Sequence, residues 1–141
     1  VYADIDTVIE RALLIKKHVI ECDEKETGLR KILNFGHTVG HGIESLRMGA
    51  LYHGECVALG MLPMCSDEVR TRLIPVLAKA GLPTEMRFYG QDLGEVMRAV
   101  AHDKKSATDG IDAVLVNEIG SFEIKKLSIS EIEERTAKIF A

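Results

Sequence analysis

Asn34-Phe35-Gly36-His37-Thr38-Val39-Gly40-His41-Gly42-Ile43-Glu44 is the stretch on which the fold turns. Together with Leu29 onward it predicts a helix, yet it holds three glycines within seven positions. Each should cost a helix interior about 1 kcal/mol. A helix that keeps them needs close approach by another backbone or by a ligand. His37 and His41 are four residues apart, so a helix puts both on one face. Two imidazoles at that spacing can hold one metal, or one can ligate while the other works as acid or base. Residue 38 is Thr, so the HExxH metalloprotease pattern is absent.

Downstream, Met48 to Leu51 reads as a loop, and His53 opens a long apolar segment, Val57 to Leu62, that reads as a buried helix. A helix, a short loop and a returning helix bring His53 back toward His37. Spacing alone favours the plainer reading of scattered polar histidines, but the glycines beside them clear space around the rings. Upstream, Arg30, Asn34, His37 and His41 form a polar stripe at steps of four, three and four. A solvated stripe would be rich in Lys and Glu, whereas this composition suits a lined cleft. Arg30 can grip a carboxylate or phosphate through two parallel hydrogen bonds. Its plainer role is an ion pair with Glu26, four residues before it.

Farther out, apolar residues from Ile5 to Ile15 recur at helical spacing, predicting a helix from near Asp4 to Glu21 capped by Asp4 or Asp6. Asp23 to Gly28 breaks the chain. Pro63 and Pro75 are expected to kink or segment the helical stretch after Met61, and Gly81-Leu82-Pro83-Thr84 is a break with Thr84 as a candidate cap. A short helix is expected over Asp92 to Ala101. Ile111 to Val116 is a strand with Phe122-Glu123-Ile124 as its hairpin partner. Ser130 and Glu133 form a candidate capping box for a last helix toward Phe140. The expected fold is mainly α with a small β-hairpin, one domain over residues 1–141.

The composition agrees. The chain has 141 residues, 46% of them hydrophobic and 28% charged. That is enough for one core without disulfide or metal staples. A net charge of −4 argues against a general nucleic-acid binder. No apolar run reaches the roughly 20 residues of a membrane span, and no secretory signal pattern opens the chain. Cys22, Cys56 and Cys65 lack CxxC spacing, which reads as reduced thiols in a cytoplasmic protein, with Cys56 a small buried residue. No glycine-rich phosphate loop is present, so a nucleotide cofactor would be held elsewhere. The first residue is Val1, which suggests a piece of a longer protein.

Three segments together resemble the 3-dehydroquinate synthase signature: Asp23-Glu24-Lys25-Glu26-Thr27-Gly28-Leu29-Arg30, the stretch from Leu33 to Glu44, and His53-Gly54-Glu55-Cys56-Val57-Ala58-Leu59-Gly60-Met61. Met97 and Asp103-Lys104-Lys105 resemble that family too. The resemblance covers its C-terminal helical domain, which in family members follows an NAD-binding α/β domain absent here. It implies conversion of 3-deoxy-D-arabino-heptulosonate 7-phosphate to 3-dehydroquinate and phosphate in the shikimate pathway, with zinc, or a divalent substitute such as cobalt, and NAD. By the same resemblance His37 and His53 are metal ligands, and the third ligand is a Glu in a segment ahead of Val1. Glu26 and His41 take proton-transfer roles. Lys16, Arg30, Asn34 and one of Lys104 or Lys105 bind the substrate. The implied partners are a small sugar phosphate and the N-terminal NAD-binding domain, with a homodimer left open and neither nucleic acid nor membrane expected. A related sugar-phosphate cyclase is the alternative within this enzyme class. For the chain alone the alternative is a non-catalytic domain.

Overall fold

The computed structural model describes residues 4–103 and 110–141. Helix α1 (Ile5–Cys22) opens on Asp4, whose carboxylate accepts the Thr7 amide. A 3-10 segment spans Leu29–Asn34, followed by α2 (His37–Arg47) and α3 (His53–Met61). A short 3-10 turn over Leu62–Met64 leads to α4 (Asp67–Lys79). Then come α5 (Asp92–Asp103), strands β1 (Ile111–Leu115) and β2 (Glu123–Leu127), and α6 (Ile129–Phe140). The expected mainly α fold with one antiparallel hairpin is what the chain adopts.

Helix α2 is the centre. Val39 and Ile43 on it are fully buried and join Leu59 of α3, Val96 and Val100 of α5, and Leu115 of β1 in one core. The glycines explain how the helices come so close. Gly40 lies against the α3 backbone at Cys56 and Val57, and Gly42 lies against Val96 of α5. Gly60 of α3 answers from the other side, where an added Cβ would sit 2.6 Å from the Gly40 nitrogen and 3.0 Å from its Cα. The predicted close approach is therefore real, and its occupant is backbone.

Four expectations are corrected. Leu29 to Glu44 is two helical pieces: Gly36 adopts a left-handed φ of 80° and α2 restarts at His37. The polar stripe therefore does not lie on one continuous helix. Pro63 does end α3, but α4 runs through Pro75. Pro75 and Thr71, whose carbonyl loses its donor, are both exposed, so water can serve that carbonyl. Thr84 caps nothing, since the chain stays irregular until Asp92 accepts the Tyr89 amide. The last capping box is Ser128 with Glu131, not Ser130 with Glu133. Ser128 Oγ accepts the Glu131 amide at 3.2 Å, and Glu131 accepts the Ser128 amide at 2.8 Å.

Candidate metal centre

Helix α3 packs closely along α2, and this brings the three histidines together. Ring centroids are 5.4 Å apart for His37–His41 and for His37–His53, and 5.7 Å for His41–His53. One nitrogen from each ring falls within 4.8 Å of the others. Tetrahedral zinc with bonds of about 2.1 Å holds its ligand nitrogens roughly 3.4 Å apart, so nitrogens that bind one ion together would have to draw closer than 4.8 Å.

Two of the rings already have one nitrogen engaged. His37 Nδ1 faces the Phe35 carbonyl at 3.3 Å, and His53 Nδ1 faces the Glu44 carboxylate at 3.1 Å. Carbonyl and carboxylate can only accept, so Nδ1 is the donor in both rings, and in the neutral form of each Nε2 keeps its lone pair. Burial holds the His37 pKa below the ordinary imidazole value. Any charge on His41 and His53 lowers it further, against the opposing pull of the Phe35 carbonyl. A neutral imidazole is the form that ligates a metal. The donor set thus suits zinc or a similar divalent ion.

His37 and His41, but not His53, line a cavity of about 390 Å³ together with Glu26, Lys31, Asn34, Thr38, Asp112, Val114 and Ile124. Glu26 sits in a left-handed conformation with φ of 55°, and Asn34 donates to its carboxylate at 3.0 Å. Asp23 builds the loop that presents it. Its two oxygens accept from the Thr27 amide and hydroxyl and from the Gly28 and Arg30 amides, at 2.7 to 3.2 Å. These donors pull the Asp23 pKa down to about 2.

The other expected residues are placed less centrally. Arg30 donates to the Glu24 carbonyl at 2.8 Å and approaches Glu26 at 3.9 Å, outside the cavity lining. Its plainer role as partner of Glu26 is therefore the arrangement present. Lys16 lies exposed on α1, also outside that lining. Lys104 and Lys105 lie outside the described residues. Cys56 is fully buried, and burial pushes its thiol pKa up, which suits a packing residue rather than a nucleophile.

Two cavity residues escaped the sequence reading. Lys31 reaches Asp112 of β1 at 2.6 Å, which ties the 3-10 segment to the hairpin. The carboxylate raises the lysine pKa. The available signal was Asp112 itself, a lone acid in the apolar run Ile111-Asp112-Ala113-Val114-Leu115. Strand alternation points Ile111, Ala113 and Leu115 into the core and leaves Asp112 and Val114 for the cavity.

Fold and cluster together define a mainly helical domain with a histidine centre of metal-ligating type at the edge of a polar cavity. Residues 2–106 match the family described as 3-dehydroquinate synthase C-terminal, and the chain belongs to that family. It is 34% identical to the 3-dehydroquinate synthase of Streptococcus pneumoniae over 94% of this chain and 40% of that protein. It is 37% identical to that of Prochlorococcus marinus over 94% of this chain and 38% of that protein. The chain thus spans about 40% of the length of these curated relatives. Among solved structures, 2-epi-5-epi-valiolone synthase from Streptomyces hygroscopicus, with NAD+ and Zn2+ bound, matches with a TM-score of 0.74 at 21% identity, covering 94% of this chain and 39% of that one. A 2-deoxy-scyllo-inosose synthase complexed with carbaglucose-6-phosphate, NAD+ and Co2+ matches at 0.72 and 21%, covering 99% and 43%. No helix among the described residues is long and apolar enough to cross a membrane.

Proposed function

We propose that this chain is the metal- and substrate-binding half of a 3-dehydroquinate synthase. The whole enzyme converts 3-deoxy-D-arabino-heptulosonate 7-phosphate to 3-dehydroquinate and phosphate, with NAD held by the N-terminal domain that family members carry. The observation that supports it most is the convergence of His37, His41 and His53, with Nδ1 of His37 and His53 already engaged. Relatives named 3-dehydroquinate synthase at 34–37% identity favour this substrate over that of the cyclases, which match at 21%.

His37 and His53 would hold the metal, and a carboxylate from the N-terminal portion of the enzyme would complete the set. When bound, a divalent ion supplies Lewis acidity toward the oxygens of the substrate. His41 stands 5.4 Å from His37, ring to ring, and serves as a proton-transfer group beside the metal. Glu26 takes a second proton-transfer role at the cavity wall, oriented by Asn34. Asn34, Arg30, Lys16 and one of Lys104 or Lys105 receive the carboxylate, phosphate and hydroxyls of the substrate. For Arg30 this requires the guanidinium to leave the Glu24 carbonyl and swing inward. Lys31, neutralised by Asp112, keeps the 3-10 wall of the cavity attached to the hairpin.

On this reading the 141 residues by themselves do not turn over the substrate. The deciding experiment fuses it behind the N-terminal half of a relative and measures NAD-dependent phosphate release from the heptulosonate phosphate. Turnover by the fusion and none by the chain is the expected result. A folded, metal-loaded fusion that releases no phosphate from this substrate refutes the proposal.

A further inference from the structure

We infer that Glu44 is a positioning residue of the metal centre, fixing the ring of His53 so that Nε2 faces His37 and His41. The inference rests on the metal reading above and concerns a residue outside the ligand set. Glu44 follows His37 and His41 on α2 by seven and three residues, so the three share one helix face. His53 is the first residue of α3, and its Nδ1 meets Glu44 Oε2 at 3.1 Å across the interhelical gap. A carboxylate cannot donate, so the contact selects the Nδ1–H tautomer and sets the ring plane. His37 is held in the same way by a backbone carbonyl that no side-chain change can remove. The His53 ring, more than half exposed, has among the described residues only a side chain to do this for it.

Glu55, two residues after His53, is the other acid that raises the question of direct ligation, and the structure commits it and Glu44 to different partners. Glu55 is committed to the capping box of α3, accepting the Tyr52 amide at 2.7 Å. Glu44 is committed to His53. Carboxylates that orient ligand histidines typically contribute 10- to 100-fold in metal affinity. An exposed ion pair between two surface groups would contribute almost nothing. The two accounts therefore predict different metal affinities, not only different stabilities.

The test uses the chain fused behind the N-terminal half of a relative, so that the carboxylate ligand is present, with Glu44→Ala, Glu44→Gln and, as a control for the metal site, His37→Ala. Zinc affinity is read by chelator competition, and the His53 tautomer by nitrogen NMR of the metal-free chain. Glu44→Ala should bind zinc about 10- to 100-fold more weakly and lose the Nδ1–H preference of His53. Glu44→Gln keeps an acceptor oxygen, so it should stay within about threefold of wild type and retain the tautomer. Zinc affinity of Glu44→Ala within threefold of wild type, or an unchanged His53 tautomer, overturns the inference alone. Equal loss in Glu44→Ala and Glu44→Gln overturns it by making Glu44 a direct ligand. Zinc uptake by wild type no stronger than by His37→Ala overturns the metal reading, and this inference falls with it.

Discussion

Gly60→Ala tests the seam that brings the histidines together. The new methyl would lie 2.6 Å from the Gly40 nitrogen and closer still to the Gly36 carbonyl oxygen. Those two atoms make the 2.9 Å hydrogen bond that starts α2 at His37. Ordinary contact begins at 3.4 Å, so α2 and α3 must part by more than about 0.8 Å, with backbone on both sides and no flexible side chain to yield. Overpacking of this kind costs up to about 3 kcal/mol. The better helix propensity of alanine returns about 1 kcal/mol, leaving a net loss near 2 kcal/mol. At about 2.1 cal/mol/K per residue, unfolding entropy for a chain this size converts that to a melting point lower by roughly 7 °C. Gly94→Ala in α5 is the matched control, since nothing lies within 4 Å of its added methyl. It should raise the melting point by up to about 3 °C. Thermal denaturation of both variants and wild type in the metal-free state gives the answer. Melting points of Gly60→Ala and Gly94→Ala within about 2 °C of each other would refute the reasoning. Zinc titration of the folded Gly60→Ala chain should also show weaker binding, because the parted helices carry His53 away from His37.

Three further outcomes are expected. In the N-terminal fusion, His37→Ala should lose metal and activity, whereas His41→Ala should keep metal and lose turnover; equal zinc loss in purified samples of the two would reverse the assignment of His41. Arg30→Lys keeps the charge but loses the planar fork, so if Arg30 swings inward to grip a substrate anion, kcat/KM should fall by roughly 10- to 150-fold. A change below about threefold would leave Arg30 as the partner of Glu26 and the Glu24 carbonyl. Acidification probes Asp23, whose folded pKa lies below its ordinary carboxylate value at about 2. A lowered carboxylate pKa stabilises the fold fully above the unfolded value, and the effect is lost as pH falls through the folded one. Hydrogen-exchange protection of the Thr27, Gly28 and Arg30 amides should therefore hold above pH 4 and decline as pH falls toward 2; protection lost already at pH 5 would show that Asp23 does not organise the loop.

Much of the centre could be read from residue order because its determinants are local in sequence. His37 and His41 share a helix face, and a loop of five residues, 48–52, returns the chain so that His53 meets them. The glycines announced close approach, but not what approached: Gly60 of α3 carries no mark in sequence that pairs it with Gly36 and Gly40. Two overlapping Ser-x-x-Glu frames, Ser128 with Glu131 and Ser130 with Glu133, made the last cap undecidable by pattern. The hydrogen bonds of Ser128 settle it. The Lys31–Asp112 contact spans 81 residues and could not be read locally at all.

The polar stripe failed for a reason that bears on the chemistry. A continuous helix through Arg30, Asn34, His37 and His41 would have fixed all four side chains at helical spacing. The chain instead breaks at Gly36, and the first half of the stripe is hung from Asp23 by hydrogen bonds to three backbone amides. Glu26 then occupies a left-handed conformation that a non-glycine residue adopts at some cost. The break separates two mechanical functions. Helices α2 and α3, locked backbone to backbone through Gly40 and Gly60, hold the histidines to a fixed spacing. The segment from Asp23 to Arg30 carries Glu26 and Arg30 on hydrogen bonds near the surface. Under the proposed function a metal site needs the first kind of support and a substrate-gripping group the second, so the glycine that defeats the simple helix reading is also what would let one short stretch of chain supply both.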